Sequence, residues 1–296
     1  MAPISRNPLF GLALGGGGAR GFAHIGVLKI LEADGIKPQL LAGTSMGAVI
    51  AAMYASGMSA NEIEAEAMRM GSMSNLGNMV KLLDSDLAKL SHVVSNSAVQ
   101  EYLSGLFNGK KDFSELQIPL AVAAVDVMHA RDVVLQEGNL PEAVSASMAL
   151  PGIIEPLQKD GMFLVDGGSL NNVPADLVDS MGAEVVAAID VSPDVTNMEF
   201  WKEQHMPGIA VANWRTNAIM VSNFTAAKLR KARTDVIIRP NISSQITTLS
   251  GFKYVKELVD AGAKAALDAL PELRKLLKAR IYLVAPKIKR AEPAEL

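Results

Sequence analysis

Seven short apolar runs punctuate the chain, at residues 9–14, 39–44, 120–127, 132–136, 162–166, 184–191 and 235–240. Their continuous apolar character, rich in Val and Ile, suits strands covered on both faces. Between them lie stretches with helical spacing, at 21–34, 46–57, 60–70, 97–107, 140–149, 174–181, about 207–233 and 252–279. Strand–helix alternation predicts an α/β fold in three layers, a largely parallel central sheet with helices on both faces. The segments 132–136 and 162–166 follow short turns, so antiparallel hairpin content is expected there.

No internal repeat, low-complexity tract or linker divides the sequence, and a single domain across residues 1–296 is expected. Residues 58–96 shift to a Met-, Ser- and Asn-rich composition and read as a helical cap inserted over one end of the sheet. Residues 274–290 are basic, with Leu273, Leu276, Leu277, Ile281 and Leu283 interleaved. That stretch has two readings, a solvated face and an interfacial helix on anionic lipid. Every apolar stretch is broken well before the roughly 20 residues of a membrane span. The N-terminal run passes straight into glycines and lacks the form of a secretory signal. A cytoplasmic protein with scope for peripheral membrane contact is the expectation.

Composition narrows the chemistry. The 28 Lys and Arg against 31 Asp and Glu leave a formal charge of −3, which gives no basic field for nucleic acid. The absence of cysteine removes disulfides, Cys-zinc sites, iron–sulfur clusters and thiol nucleophiles. Neither a cofactor nor a metal is expected.

Three short motifs then stand at strand ends, where open α/β sheets place their ligands. Gly15-Gly16-Gly17-Gly18-Ala19-Arg20-Gly21 follows the first strand and leads into a helix. Successive glycines let backbone N–H groups converge on negative charge, whether a phosphate or a developing oxyanion. A dinucleotide site would need an acid at the end of a second strand, and the nearest acids, Glu32 and Asp34, end a helix. Gly43-Thr44-Ser45-Met46-Gly47 sits between a strand and a helix, the context of a G-x-S-x-G nucleophile elbow. Asp166-Gly167-Gly168 closes the strand at 162–166; alone, it would be an ordinary turn.

Histidine bases are scarce. His24 reads as a packed helix residue, His92 falls in the cap and His129 in a turn. His205 alone has the chain order of a Ser–Asp–His triad, paired with Asp166 or Asp190, but its neighbours suggest a solvated segment. The methionines of the cap fit acyl-groove lining and plain packing equally, whereas Met53 reads as core.

Taken together, GGGGARG with FAHIGVLKIL, then AGTSMGAVIAAMYASG, ASMALPGIIEPL and VDGGSLNNVPADLV, resemble the bacterial patatin-like phospholipases from about Leu12 to Val191. The resemblance implies a patatin-like fold, with the motif-bearing core at about 9–192, and a lipid acyl hydrolase of phospholipase A or lysophospholipase type. It implies a Ser–Asp dyad: Ser45 matches the nucleophile and Asp166 the base. Gly16, Gly17 and Gly18 match the oxyanion loop, and Arg20 its basic residue. Burial should raise the pKa of Asp166 from its ordinary value of about 3.9, making it a better base. The competing readings are a carboxylesterase with a Ser–Asp–His205 triad and a catalytically idle module binding lipid or phosphate.

Overall fold

The computed structural model describes residues 2–72, 94–196, 208–248, 251–278 and 280–284. Strand β1 (Ala2–Arg6) precedes β2 (Phe10–Leu14), which passes through the glycine loop into α1 (Ala23–Ala33). Next come β3 (Leu40–Thr44), α2 (Met46–Ala55), α3 (Ala60–Ser72) and α4 (Asn96–Ser104). The hairpin of β4 (Leu120–Asp126) and β5 (Arg131–Leu135) leads to α5 (Leu140–Met148), β6 (Leu157–Lys159) and β7 (Met162–Asp166). The short α6 (Gly168–Asn171) and α7 (Ala175–Ser180) precede β8 (Val185–Ile189) and the long α8 (Gly208–Lys231). Finally β9 (Val236–Ile238), α9 (Val255–Leu276) and β10 (Arg280–Val284) complete the described chain.

Five strands in the order β4-β3-β2-β8-β9 run parallel, as the strand–helix alternation requires. The expected antiparallel content lies on the β4 side, where β5 and β7 pair with β4 and β6 pairs with β7. All seven strands read from the hydrophobic pattern are present. The pattern did not reveal β6, α6 or the separate antiparallel pair of β1 with β10.

The two faces of the parallel sheet differ in bulk, with most of the large side chains on one and most of the alanines on the other. Leu12, Leu14, Leu41, Val122, Val185 and Ile189 join the larger core cluster, with α1, α2 and α9. Ala13, Ala42, Ala121, Ala123 and Ala188 face the other way, against Leu177, Val178 and Leu229 of α7 and α8. Successive strand residues point to opposite faces, so this alternation gives the sheet one bulky and one shallow face.

Helix α9 belongs to the bulky layer. A Cβ at Gly262 would lie 1.8 Å from the carbonyl oxygen of Ala23, and one at Gly26 1.9 Å from that of Val259. The two helices therefore touch backbone to backbone through reciprocal glycines. Leu273 is fully buried, Leu276 and Leu277 pack on the core, and Arg274 donates to Asp34 at 2.9 Å. Where residues 274–278 are described, the interleaved leucines turn inward, which removes them from an interfacial reading. Residues 285–296 lie outside the described chain.

Of the cap, α3 is an amphipathic helix that buries Ile63, Ala67 and Met70. Residues 73–93, with Met73, Met79 and His92, lie outside the described residues. Among the described residues, no helix is long and apolar enough to cross a membrane.

The α1–α9 contact leaves no room for a methyl group, and its closest atoms are backbone, which cannot rotate away. Gly262→Ala is expected to destabilise the fold by about 1–3 kcal/mol, the usual range for overpacking. Denaturant unfolding checks this; an unchanged midpoint would mean that the helices separate freely.

Candidate active site

Three strands on two edges of β4 create the site. Strand β5 pairs with β4 over residues 122–126, so β3 and β7 must share the opposite edge. There Thr44 of β3 lies opposite Ala123, and Asp166 of β7 lies opposite Ala124. The two strands run toward each other and end nose to nose. Ser45, the next residue after β3, meets Asp166, the last residue of β7, with its side chain near enough to act on the Asp166 carboxyl.

The elbow at Ser45 is strained. Its φ of 54° and ψ of −126° lie in territory that residues with side chains rarely adopt. Neighbouring contacts hold it there. The Ser45 N–H donates to Ser147 Oγ at 2.8 Å, and Ser147 Oγ donates in turn to the Ala123 carbonyl at 2.6 Å. A buried hydroxyl thus ties the elbow to the strand that aligns both candidate residues. Thr44 Oγ1 donates to Asn171 O at 2.8 Å, linking the end of β3 to α6. A Cβ on Gly47 would lie 2.2 Å from the carbonyl oxygen of Leu14 and 2.6 Å from that of Gly15. The absence of a side chain there lets α2 start against the glycine loop.

That loop is also fastened by name. Gly16 donates its N–H to the Asn172 carbonyl at 2.9 Å, and Asn172 Nδ2 donates to Gly16 O at 3.2 Å. Gly16 therefore serves as a gripped spacer, its amide already paired. Among the described residues no acceptor pairs with the amides of Gly17 and Gly18, and both line the cleft beside Ser45. Arg20 does not face the cleft. Its buried guanidinium donates to the carbonyls of Val191 at 2.8 Å, Ile246 at 3.0 Å and Ser192 at 3.3 Å. Burial lowers its pKa to about 10, offset in part by Asp190, so it stays charged and staples the loop to the segment after β8.

His24 is buried, as its place in α1 suggested, and its Nε2 lies 2.7 Å from Gly15 O. Burial pushes its pKa down to about 4, so it is neutral near pH 7 and donates that hydrogen bond. Asp190 accepts from Ser192 N at 3.0 Å and Arg239 Nε at 3.1 Å, which commits both oxygens away from Ser45. His129 pairs with Asp126 at 2.5 Å. His205 lies outside the described residues.

Asp166 is enclosed, and burial raises its pKa to about 6 against the opposing pull of the Ser45 side chain and of the hydrogen bond from Gly168 N at 2.7 Å. The direction is the one expected of a carboxyl group beside the elbow. Over the pair opens a cleft of about 210 Å3, walled by Met46, Met148, Leu150, Ile153, Val221 and Phe252. Its apolar wall comes from the start of α2, α5 and the loop after it, α8 and the turn before α9, so the described methionines of α3 do not line it. Met70 is packed in the core and Met68 is exposed.

Ser147 and Asn172 escaped sequence reasoning. Each lay inside a recognisable string, ASMALPG or DGGSLNNVP, but a serine in a helix and an asparagine in a turn carry no chemistry until their partners are known.

An α/β sheet here sets a strained serine against a buried carboxylate, next to loop amides that no described residue pairs. The family model described as patatin-like phospholipase matches residues 12–179, over half of the chain, and the chain belongs to that family. Human patatin-like phospholipase domain-containing protein 6 is 39% identical over 201 residues, covering 67% of this chain and 14% of that protein. Lysophospholipase NTE1 of Yarrowia lipolytica is 32% identical over 205 residues, covering 68% and 14%. The chain thus spans about a seventh of the length of these relatives. Among solved structures, VipD from Legionella pneumophila aligns with 95% of this chain and 69% of its own at 14% identity and a TM-score of 0.49.

The buried carboxyl carries a stability signature. Its pKa is raised in the folded state, so its contribution is fully present below the unfolded value of 3.8 and is lost as pH rises through about 6. An asparagine in its place would not titrate. The stability of Asp166→Asn relative to wild type should therefore grow by about 3 kcal/mol between pH 4 and pH 8. Parallel stability–pH curves for the two proteins would show that Asp166 does not titrate there.

Proposed function

We propose that this chain is a serine-dependent lipid acyl hydrolase of phospholipase A or lysophospholipase type. The observation that carries the reading is the meeting of Ser45 with a buried Asp166 at the floor of an apolar cleft. Ser45 Oγ attacks the ester carbonyl while Asp166 accepts its proton. The tetrahedral oxyanion is taken up by the amides of Gly17 and Gly18, donors of a kind typically worth about 3 kcal/mol each. Asp166 then passes the proton to the departing alcohol. In the second half it takes a proton from the water that attacks the acyl-enzyme and returns it to Ser45 Oγ as the fatty acid leaves.

A carboxylate at about 6 suits both tasks: ionised enough near neutrality to accept a proton, and basic enough to hold it briefly. No third residue is required to orient it, because Gly168 N and the β7–β4 pairing fix the carboxylate. The apolar walls favour an acyl chain over a polar substrate. The names of the relatives, a phospholipase domain protein and a lysophospholipase, support the same substrate class. Such esters are presented at lipid surfaces, so peripheral membrane contact forms part of the proposal.

A fluorophosphonate should label Ser45 alone, as read by peptide mass spectrometry, and Ser45→Ala should abolish ester turnover. Asp166→Asn should fold, yet lose about a hundred- to ten-thousandfold in kcat and most of its labelling. Wild-type kcat should climb with pH and level off above about 6, as Asp166 ionises. A folded, active Asp166→Asn enzyme would overturn the dyad.

Ser147→Ala should lower kcat about tenfold while leaving KM within about twofold, because it loosens the elbow and not the cleft. Unchanged kcat in a folded Ser147→Ala protein would show that the strained backbone holds itself.

A further inference from the structure

Helix α8 walls one side of the cleft through Asn217, Ala218, Val221 and Ser222. Helical spacing sets Met220 and Phe224, four residues apart, on the adjoining stripe of the same turns. These two large apolar side chains are left 51% and 47% exposed, and neighbouring Ile219 is 38% exposed. Single exposed apolar residues are ordinary on a protein surface, but a ridge at the rim of an apolar cleft marks a contact surface.

The charge of the helix indicates what the ridge meets. Gly208–Lys231 contains no Asp or Glu and has four basic residues, Arg215, Lys228, Arg230 and Lys231, in a chain whose formal charge is −3. Lys228 is held by Asp132 at 2.6 Å, while Arg230 and Lys231 are exposed at the end of the helix. Lys231 continues the stripe of Met220 and Phe224. An apolar ridge with a basic end and no acid matches a helix face lying on anionic lipid.

The size of the cleft supplies the reason for such a surface. At about 210 Å3 it falls short of the roughly 300–1,000 Å3 of pockets that enclose a drug-sized ligand. It holds part of one acyl chain, so the rest of a phospholipid must stay in its own layer during reaction. Resting on the hydrolase reading above, we propose that the Met220–Phe224 ridge of α8 docks the protein on an anionic lipid bilayer and sets the cleft against it.

The test is co-sedimentation of Ser45→Ala protein, which leaves the lipid intact, with phosphatidylcholine vesicles with and without phosphatidylglycerol. Binding should require phosphatidylglycerol and weaken with salt. Met220→Ser/Phe224→Ser should bind about tenfold more weakly. In the active enzyme the same pair should reduce vesicle-lipid hydrolysis by a similar factor and leave turnover of a soluble short-chain ester unchanged. Leu267→Ser, at an equally exposed leucine on α9, should bind as wild type.

Four results would overturn the proposal: wild-type protein that ignores anionic vesicles, salt-insensitive binding to phosphatidylcholine alone, full binding by the double variant, or equal loss in Leu267→Ser. Self-association that depends on the ridge, with vesicle binding untouched, would assign it instead to a second copy of the chain. Failure of the hydrolase reading looks different: no Ser45-dependent turnover of the soluble ester. Ridge-dependent vesicle binding alongside that failure would still support the docking surface.

Discussion

One edge of one strand organises the molecule. β4 gives its outer edge to β5 and must divide the other between β3 and β7, which approach from opposite directions. Their ends meet at adjacent β4 residues, Ala123 and Ala124, so Ser45 and Asp166 are brought together by backbone pairing. Ladder hydrogen bonds define positions more closely than long flexible side chains do. That suits a two-residue site, which has no third member to correct a misplaced partner.

The same junction concentrates cost. A serine in a disfavoured backbone conformation and a carboxyl group removed from water each work against folding, by about 1–3 kcal/mol apiece. The surroundings offset this through hydrogen bonds to the backbone around it: Ser147 on the elbow, Asn172 on Gly16, His24 on Gly15 and Arg20 on the segment beyond β8. The polar residues around the site thus divide into two kinds. Ser45 and Asp166 meet at the floor of the cleft, while Ser147, Asn172, His24 and Arg20 bond to backbone and hold the surrounding loops.

That division explains what the sequence could disclose. The parallel strands were legible because burial on both faces makes them continuously apolar, and the elbow because a sharp strand-to-helix turn demands small residues around Ser45. Local pattern does not encode which strand end faces which, so the pairing of Asp166 with Ser45 came only through family resemblance. Arg20 shows the limit of that transfer: the motif placed it in the loop, but its guanidinium turns to the carbonyls of Val191, Ser192 and Ile246. Strand β6 escaped because two of its three residues, Gln158 and Lys159, are polar, so it shows no apolar run. β1 and β10 pair across nearly the whole chain, a separation that no local window spans.

The asymmetry of the sheet carries the logic outward from the site. The leucine face accepts α1 and α9 so tightly that glycines meet backbone, and this fixes α9 against the core. The alanine face accepts α7 and the end of α8 through Leu229, and further back α8 rises over the cleft. The two helices also differ in charge: α9 balances its four basic residues with four acids, whereas α8 has four basic residues and no acid. In α9 the apolar residues near Arg274 are consumed by packing, so its charge is a solvated face. In α8 Ile219, Met220 and Phe224 remain exposed beside the cleft.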